Sequence, residues 1–82
     1  MRRFYDREID FHGYYPTDAT RELEELLFCS VNESILVIHG MGSGKVKHAV
    51  RTHIRNSTQI CSFEYGEQLG IPGGDGVVVV WT

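Results

Sequence analysis

The apolar run Ile35–Ile38 and the glycine-rich stretch that follows it constrain the fold of this chain most. A strand without polar alternation is covered on both faces, so this one is predicted to lie inside a sheet. Residues 39–44 then form a turn, and Lys45–Arg55 has the spacing of an amphipathic helix. This succession predicts one strand–turn–helix unit.

A second unit precedes it. Ile9–His12 alternates as a short strand, and the helix that follows is predicted from Thr17, as N-cap, to Val31. A strand–helix–strand crossover makes the first two strands parallel. With strands at Ile60–Tyr65 and Val77–Trp81, the order is βαβαββ. We therefore predict an α/β fold, a two-layer α/β sandwich in which two helices cover a four-stranded mixed sheet.

The length of 82 residues leaves room for one core. We assign residues 1–8 to an N-terminal arm and residues 9–82 to the domain. No stretch approaches the ~20 apolar residues of a membrane span, and the N-terminus lacks a signal-peptide core. The two cysteines form no CxxC pair, which is typical of free thiols in a reducing compartment. These features predict a cytoplasmic protein with no membrane partner.

Positive charge is concentrated in the middle of a chain whose net charge is −3. Residues 34–63 contain no acidic residue but four basic ones. Lys47, Arg51 and Arg55 recur every four residues, which predicts one outward basic stripe on the second helix. Such a stripe can bind a polyanion, or it can be an ordinary solvated helix face.

Candidate catalytic groups follow the first two strands. Asp10 and His12 end the first predicted strand, and His39 follows the second. Because the carboxyl ends of parallel strands share one edge, these three side chains are expected to gather there. Histidine titrates near neutral pH and suits proton transfer. The alternative is that Asp10 and His12 stabilise the turn and that His39 satisfies a loop carbonyl.

The glycine-rich turn is a candidate phosphate site. Free backbone N–H groups at the start of a helix, together with a lysine, favour an anion. The predicted contacts are Gly13, Gly40, Gly42, Ser43, Gly44 and Lys45, with the basic stripe beyond them. His39 and Val46 exclude a Walker A motif, which requires glycine and Ser or Thr at these places. The alternative is a tight strand-to-helix connection.

Three short boxes together resemble the small MutS-related (Smr) domain family. Residues 9–13 are similar to its LDLHG box, residues 39–44 match HGxGxG, and residues 73–77 resemble its closing glycine pair and strand. The resemblance implies a fold like the C-terminal domain of translation initiation factor 3 and binding to DNA or RNA. In several members it implies endonucleolytic cleavage. It carries functional roles over to Asp10, His12, Gly13, His39, Gly40, Gly42 and Gly44.

We therefore predict a nucleic-acid-binding Smr domain with endonuclease activity, whose partner is RNA or DNA. Some relatives are attached to MutS-type ATPases or act on mRNA at ribosomes, which makes a ribosome or a MutS-like protein a further expected partner. The alternatives are a non-catalytic nucleic-acid-binding module and a protein-interaction adaptor. The sequence leaves open a metal-free route through an RNA 2′-hydroxyl and hydrolysis assisted by Mg²⁺.

Overall fold

The computed structural model describes residues 5–82, so residues 1–4 of the predicted arm lie outside the described residues. The first strand begins at Arg7, inside the segment assigned to that arm. The elements are β1 (Arg7–Asp10), α1 (Pro16–Cys29), β2 (Ser34–Ile38), α2 (Lys45–Asn56), β3 (Ser62–Tyr65), α3 (Gly66–Leu69), a 3₁₀ turn (Gly74–Gly76) and β4 (Val77–Trp81).

The four strands form one mixed sheet in the order β1-β2-β4-β3, which confirms the predicted architecture. β1 and β2 are parallel, and β4 runs antiparallel to both of its neighbours. Asp10, Ile38 and Val77 lie side by side in this register. We call the side of the sheet marked by these three residues the carboxyl edge, because β1 and β2 both end there.

The core lies between the sheet and the two long helices. Each helix contributes an apolar stripe, and β2 and β4 contribute alternate residues. The buried residues of this cluster are Phe11, Ala19, Leu23, Leu27, Ile35, Val37, Val50, Ile54, Val78 and Val80. Because the apolar stripes leave polar residues outside, burial of this cluster fixes which face of α1 and α2 contacts the sheet.

Several predicted boundaries differ by one or two residues: α1 ends at Cys29 instead of Val31, and β3 begins at Ser62 instead of Ile60. Two other differences have local reasons. β1 ends at Asp10 instead of continuing to His12, because the Asp10 carboxylate accepts the His12 backbone N–H at 2.9 Å and turns the chain. α1 begins at Pro16 instead of after Thr17, since proline fits the first helical position, where its missing N–H costs nothing.

The segment between β3 and β4 was predicted as a linker, but it contains α3 and the 3₁₀ turn. These two short elements touch at Gly66, which is buried. A Cβ there would overlap the Gly74 carbonyl oxygen and the Val77 side chain, so only glycine permits the contact. The close approach holds α3 beside the start of β4.

In the described part of the chain, none of the helices is long and apolar enough to cross a membrane.

Candidate functional site

His12 lies on a tight turn at the carboxyl edge, and its side chain is exposed. The backbone of this turn is tied to β2, because the Phe11 N–H donates to the Ile38 carbonyl at 2.7 Å. Asp10 holds the His12 N–H, and Gly13 continues the turn at φ +81°. The sequence had placed both residues on one strand, but Asp10 ends β1 and His12 lies on the turn that follows. The arrangement fixes the backbone that carries an accessible imidazole.

The glycine-rich turn ends at an uncapped helix N-terminus. Gly44 occupies the N-cap position of α2 with φ +85°, and Gly42 also has positive φ. No side chain caps this end, and no acidic residue lies in the first turn. The first N–H groups of a helix have no partner within the helix, so this end attracts an anion. Exposed Lys45 adds a positive charge at the same place.

Gly76, which lies in the box at residues 73–77, holds the backbone at the start of this turn. Its carbonyl oxygen accepts the N–H groups of both His39 and Gly40 at 3.0 Å. The turn that precedes α2 is therefore fixed from β2 on one side and from the start of β4 on the other. A site fixed in this way does not have to become ordered when a ligand binds.

His39 is buried and both of its ring nitrogens are engaged. Its Nε2 accepts a hydrogen bond from Arg51 Nε at 3.1 Å, so the proton lies on Nδ1, which donates to the Gly40 carbonyl at 2.8 Å. Only 4% of the residue is exposed. Burial is the main cause that lowers the pKa of His39 below its usual 6.5. Proton transfer from His39 to a substrate requires one of these two bonds to open.

Arg51 joins the elements of the carboxyl edge. Its guanidinium makes a bidentate ion pair with Glu67 of α3 at 2.8 and 2.9 Å, and it donates to the carbonyls of Asp75 and Val77. The Tyr65 ring lies 4.0 Å from its central carbon. The prediction that Arg51 faces outward is wrong: the residue is buried, because the segment after β3 folds over it.

The other two residues of the predicted basic stripe are also engaged. Lys47 lies 3.4 Å from an Asp75 carboxylate oxygen. Arg55 is exposed and donates to the Tyr65 hydroxyl at 3.1 Å. Acidic residues that are distant in sequence thus offset much of the central positive charge. Among the described residues, Lys45 and Arg55 are the cations of this region that form no ion pair, and of the two only Lys45 lies at the start of α2.

A Mg²⁺ site would need oxygen donors at this edge. Within residues 5–82 there is no group of three or more His, Cys, Asp or Glu side chains placed to hold a metal ion. One oxygen of Asp10 is already occupied by the His12 N–H. The described side chains therefore do not form a metal cage.

Comparison with known proteins is consistent with this geometry. Residues 9–82 match the Smr domain family. The chain belongs to the Smr family. It is 33% identical over 75 residues to endonuclease MutS2 of Staphylococcus carnosus, covering 88% of this chain and 9% of that protein. It is 32% identical over 78 residues to endonuclease MutS2 of Anaeromyxobacter sp., covering 92% of this chain and 9% of that protein.

A solved structure shares the fold of this Smr domain. The Smr domain of Thermus thermophilus MutS2 superposes with a TM-score of 0.76 at 27% identity. The match covers 92% of this chain and 95% of the other. The Smr domain described here thus spans about a tenth of the curated relatives, but nearly all of this solved domain.

Glu67 is the residue of this Smr domain that sequence reasoning missed. Its carboxylate is 42% exposed, and the hydrogen bond from Arg51 is the main cause that lowers its pKa to about 2. Little in the sequence indicated this role. Glu67 lies in a segment that was predicted to be a linker, where no helical or strand periodicity shows which way a side chain points. Only its place on α3, against the 3₁₀ turn, brings it to Arg51.

The stability of the Smr domain should fall in two steps as the pH is lowered. His39 has a lowered pKa in the folded state, so the unfolded chain takes up its proton first and stability declines below about pH 6.5. Glu67 adds a second decline between about pH 4.5, its usual value, and its folded value of about 2. Urea unfolding at pH 7.5, 5.5 and 3.5 measures both declines.

Two variants assign the steps. In Glu67→Gln the lower decline should shrink while the upper one persists, whereas His39→Gln should remove the upper one. Equal free energies of unfolding at pH 7.5 and 5.5 in the unmodified domain would show that His39 is not held neutral by the fold.

Proposed function

We propose that this Smr domain binds a strand of RNA or DNA at its carboxyl edge and cleaves a phosphodiester bond with His12. The observation that carries the proposal is an accessible imidazole on the loop beside a glycine-rich, uncapped helix N-terminus. The endonuclease names of the MutS2 relatives support it.

The binding step uses the backbone more than the basic stripe. The free N–H groups of the first turn of α2, the Gly42 backbone and Lys45 offer donors and positive charge to one phosphate. Gly40 and Gly44 contribute by shaping the turn, because their N–H groups already donate to the Gly76 and Met41 carbonyls. The Ser43 hydroxyl is a further proposed donor, and Gly13 lets the His12 turn approach a ligand closely. Lys47 and Arg55 are proposed as outer contacts that exchange their present partners for phosphates.

The chemical step uses His12 as a general base. On RNA it would take the proton of a 2′-hydroxyl, whose oxygen attacks the phosphorus while the bond to the 5′-oxygen breaks, leaving a 2′,3′-cyclic phosphate. On DNA it would take the proton of an attacking water, whose oxygen bonds to the phosphorus while one P–O ester bond breaks. The products are a terminal phosphate and a sugar hydroxyl, whose oxygen takes its proton from solvent, as does the 5′-oxygen released from RNA. Asp10 acts by fixing the turn. His39 keeps its proposed place at the site, where its bond to the Gly40 carbonyl positions the glycine turn.

A second candidate is a binding module without cleavage, and the state of His39 favours it. Because Arg51 and Gly40 engage both nitrogens of that ring, the carboxyl edge presents one accessible imidazole of the predicted pair. We propose that a ribosome or a MutS-like protein is the partner that brings the nucleic-acid strand to this domain. The family resemblance supports this proposal.

Binding should depend on salt and on Lys45. Lys45→Gln should weaken binding of a short oligonucleotide several-fold at low salt and reduce the slope of log K against log [salt] by about one. Arg7→Gln is the matched control, since Arg7 is a cation at the other end of β1. Fluorescence anisotropy between 50 and 200 mM salt measures both quantities. Absence of salt-dependent binding in the unmodified domain would contradict the proposal and favour a protein-interaction adaptor.

A further inference from the structure

We propose that Tyr15 is a stacking platform for an unpaired nucleobase, so that the ligand of this domain is single-stranded. The inference rests on the proposed function and deepens it, because it names the form of nucleic acid that the carboxyl edge recognises. It stands on the exposure of this ring, on the rigid turn that presents it and on the anion site of the neighbouring loop.

The Tyr15 ring is exposed at a place where helix stability gives it no role. The residue is 76% exposed. It occupies the N-cap position of α1 but makes no side-chain capping bond. Ser, Thr, Asp or Asn would satisfy a helix N–H at this position. An exposed aromatic ring that neither caps nor packs is available for a ligand.

The turn before Tyr15 is held in place by Tyr14. The Tyr14 N–H donates to the Phe11 carbonyl at 3.0 Å, and its ring packs edge-on against Phe11 with centroids 5.3 Å apart. Its hydroxyl donates to Glu22 at 2.9 Å. Tyr14 thus anchors the loop to the core and to α1, and Tyr15 follows directly. An aromatic platform carried by such a turn loses little conformational entropy on binding.

The exposed apolar side chains divide between the two ends of the domain. Tyr15, Met41 and Leu69 follow β1, β2 and β3, and all three strands end at the carboxyl edge. Phe28 and Val31 lie at the end of α1 and just beyond it, at the opposite side of the sheet. The exposed apolar side chains at the carboxyl edge therefore lie at the same edge of the sheet as the anion site at the start of α2.

A nucleotide is the occupant that combines these two chemistries. Its phosphate suits the uncapped helix end and Lys45, and its base presents a flat face to Tyr15. In a duplex the base faces are stacked on each other and only their edges are accessible. Stacking on Tyr15 therefore requires an unpaired strand, a loop or a frayed end.

An abasic scan tests the proposal. Binding of a ten-nucleotide single strand and of a blunt-ended duplex with G·C base pairs at both ends is measured by fluorescence anisotropy, with His12→Ala as the common background so that the strands stay intact. Tyr15→Ala should weaken single-strand binding about tenfold and leave duplex binding unchanged. Tyr15→Phe, which keeps the ring, should restore it. Phe28→Ala is the matched control, since Phe28 is 78% exposed on the same helix.

The decisive readout is non-additivity. Moving one abasic site along the strand should reveal a position at which the lost base costs about as much as Tyr15→Ala. At that position Tyr15→Ala should cost nothing further. If Tyr15→Ala binds like Phe28→Ala while Lys45→Gln still weakens binding, the stacking proposal is overturned and the proposed function stands. If the background domain binds neither strand nor duplex, the proposed function fails, and the stacking proposal fails with it.

Discussion

Replacing His12 with alanine is expected to lower the rate of strand cleavage by about 10² to 10⁴ while changing affinity little. In the proposed mechanism the imidazole acts on a proton that moves in the transition state, whereas the start of α2 and Lys45 would hold the phosphate. Cleavage of end-labelled RNA and DNA of one sequence, each with and without EDTA, measures the rate and separates the two routes. A 2′,3′-cyclic phosphate product identifies attack by the 2′-hydroxyl.

His53→Ala is the control for this experiment. His53 is an imidazole in the later part of α2, beside the cavity lined by Glu24 and Asn56 and away from the carboxyl edge. The His53→Ala variant should cleave the strand at the rate of the unmodified domain. Equal cleavage by all three preparations would point to a contaminating nuclease and leave the domain as a binding module. A parallel loss of binding and cleavage in His12→Ala would make His12 a positioning residue.

Replacing Arg51 with alanine is expected to destabilise the domain by about 3 kcal/mol, which corresponds to a fall in Tm of roughly 15 °C for a domain of this size. The substitution removes the donors that Glu67, Asp75 and Val77 share, and it leaves the buried Nε2 of His39 without a partner. Thermal unfolding followed by circular dichroism measures the change.

Two further substitutions show what Arg51 contributes. Arg51→Lys keeps the charge but cannot reproduce the fork that reaches both Glu67 oxygens and His39, so most of the loss should remain. Arg55→Ala removes an exposed guanidinium and should change Tm by no more than a few degrees. If Arg51→Ala has the same Tm as the unmodified domain, Arg51 is a free cation. The prediction of an outward basic stripe on α2 would then be correct.

The sheet and both long helices could be predicted because their signals are local. β2 and β4 are short apolar runs, and glycine or, at Asn32, asparagine stands where the backbone has a positive φ, as at Gly44. The parallel pairing of β1 and β2 followed from the strand–helix–strand crossover between them, whereas the place of β4 between β2 and β3 was not predicted. These features need no knowledge of distant contacts.

The state of the site could not be predicted because it depends on contacts between distant residues. Helical spacing placed Arg51 with Lys47 and Arg55, but its burial depends on Glu67, sixteen residues further along on α3. Arg51 in turn donates to the buried ring of His39, which the sequence had placed among the candidate catalytic groups. The end of β1 depended on a side-chain bond from Asp10, which strand periodicity does not report.

The most direct test of the proposed site is to map which residues of the domain a nucleic-acid strand contacts. A ¹⁵N-labelled sample titrated with a ten-nucleotide single strand reports every backbone N–H at once. We predict that the largest shift changes fall in residues 12–15 and 40–47, on the two loops of the carboxyl edge. Residues 53–59, which line the cavity at the end of α2, should change little. Shift changes centred on residues 53–59, or none at a concentration that saturates binding, would contradict the account.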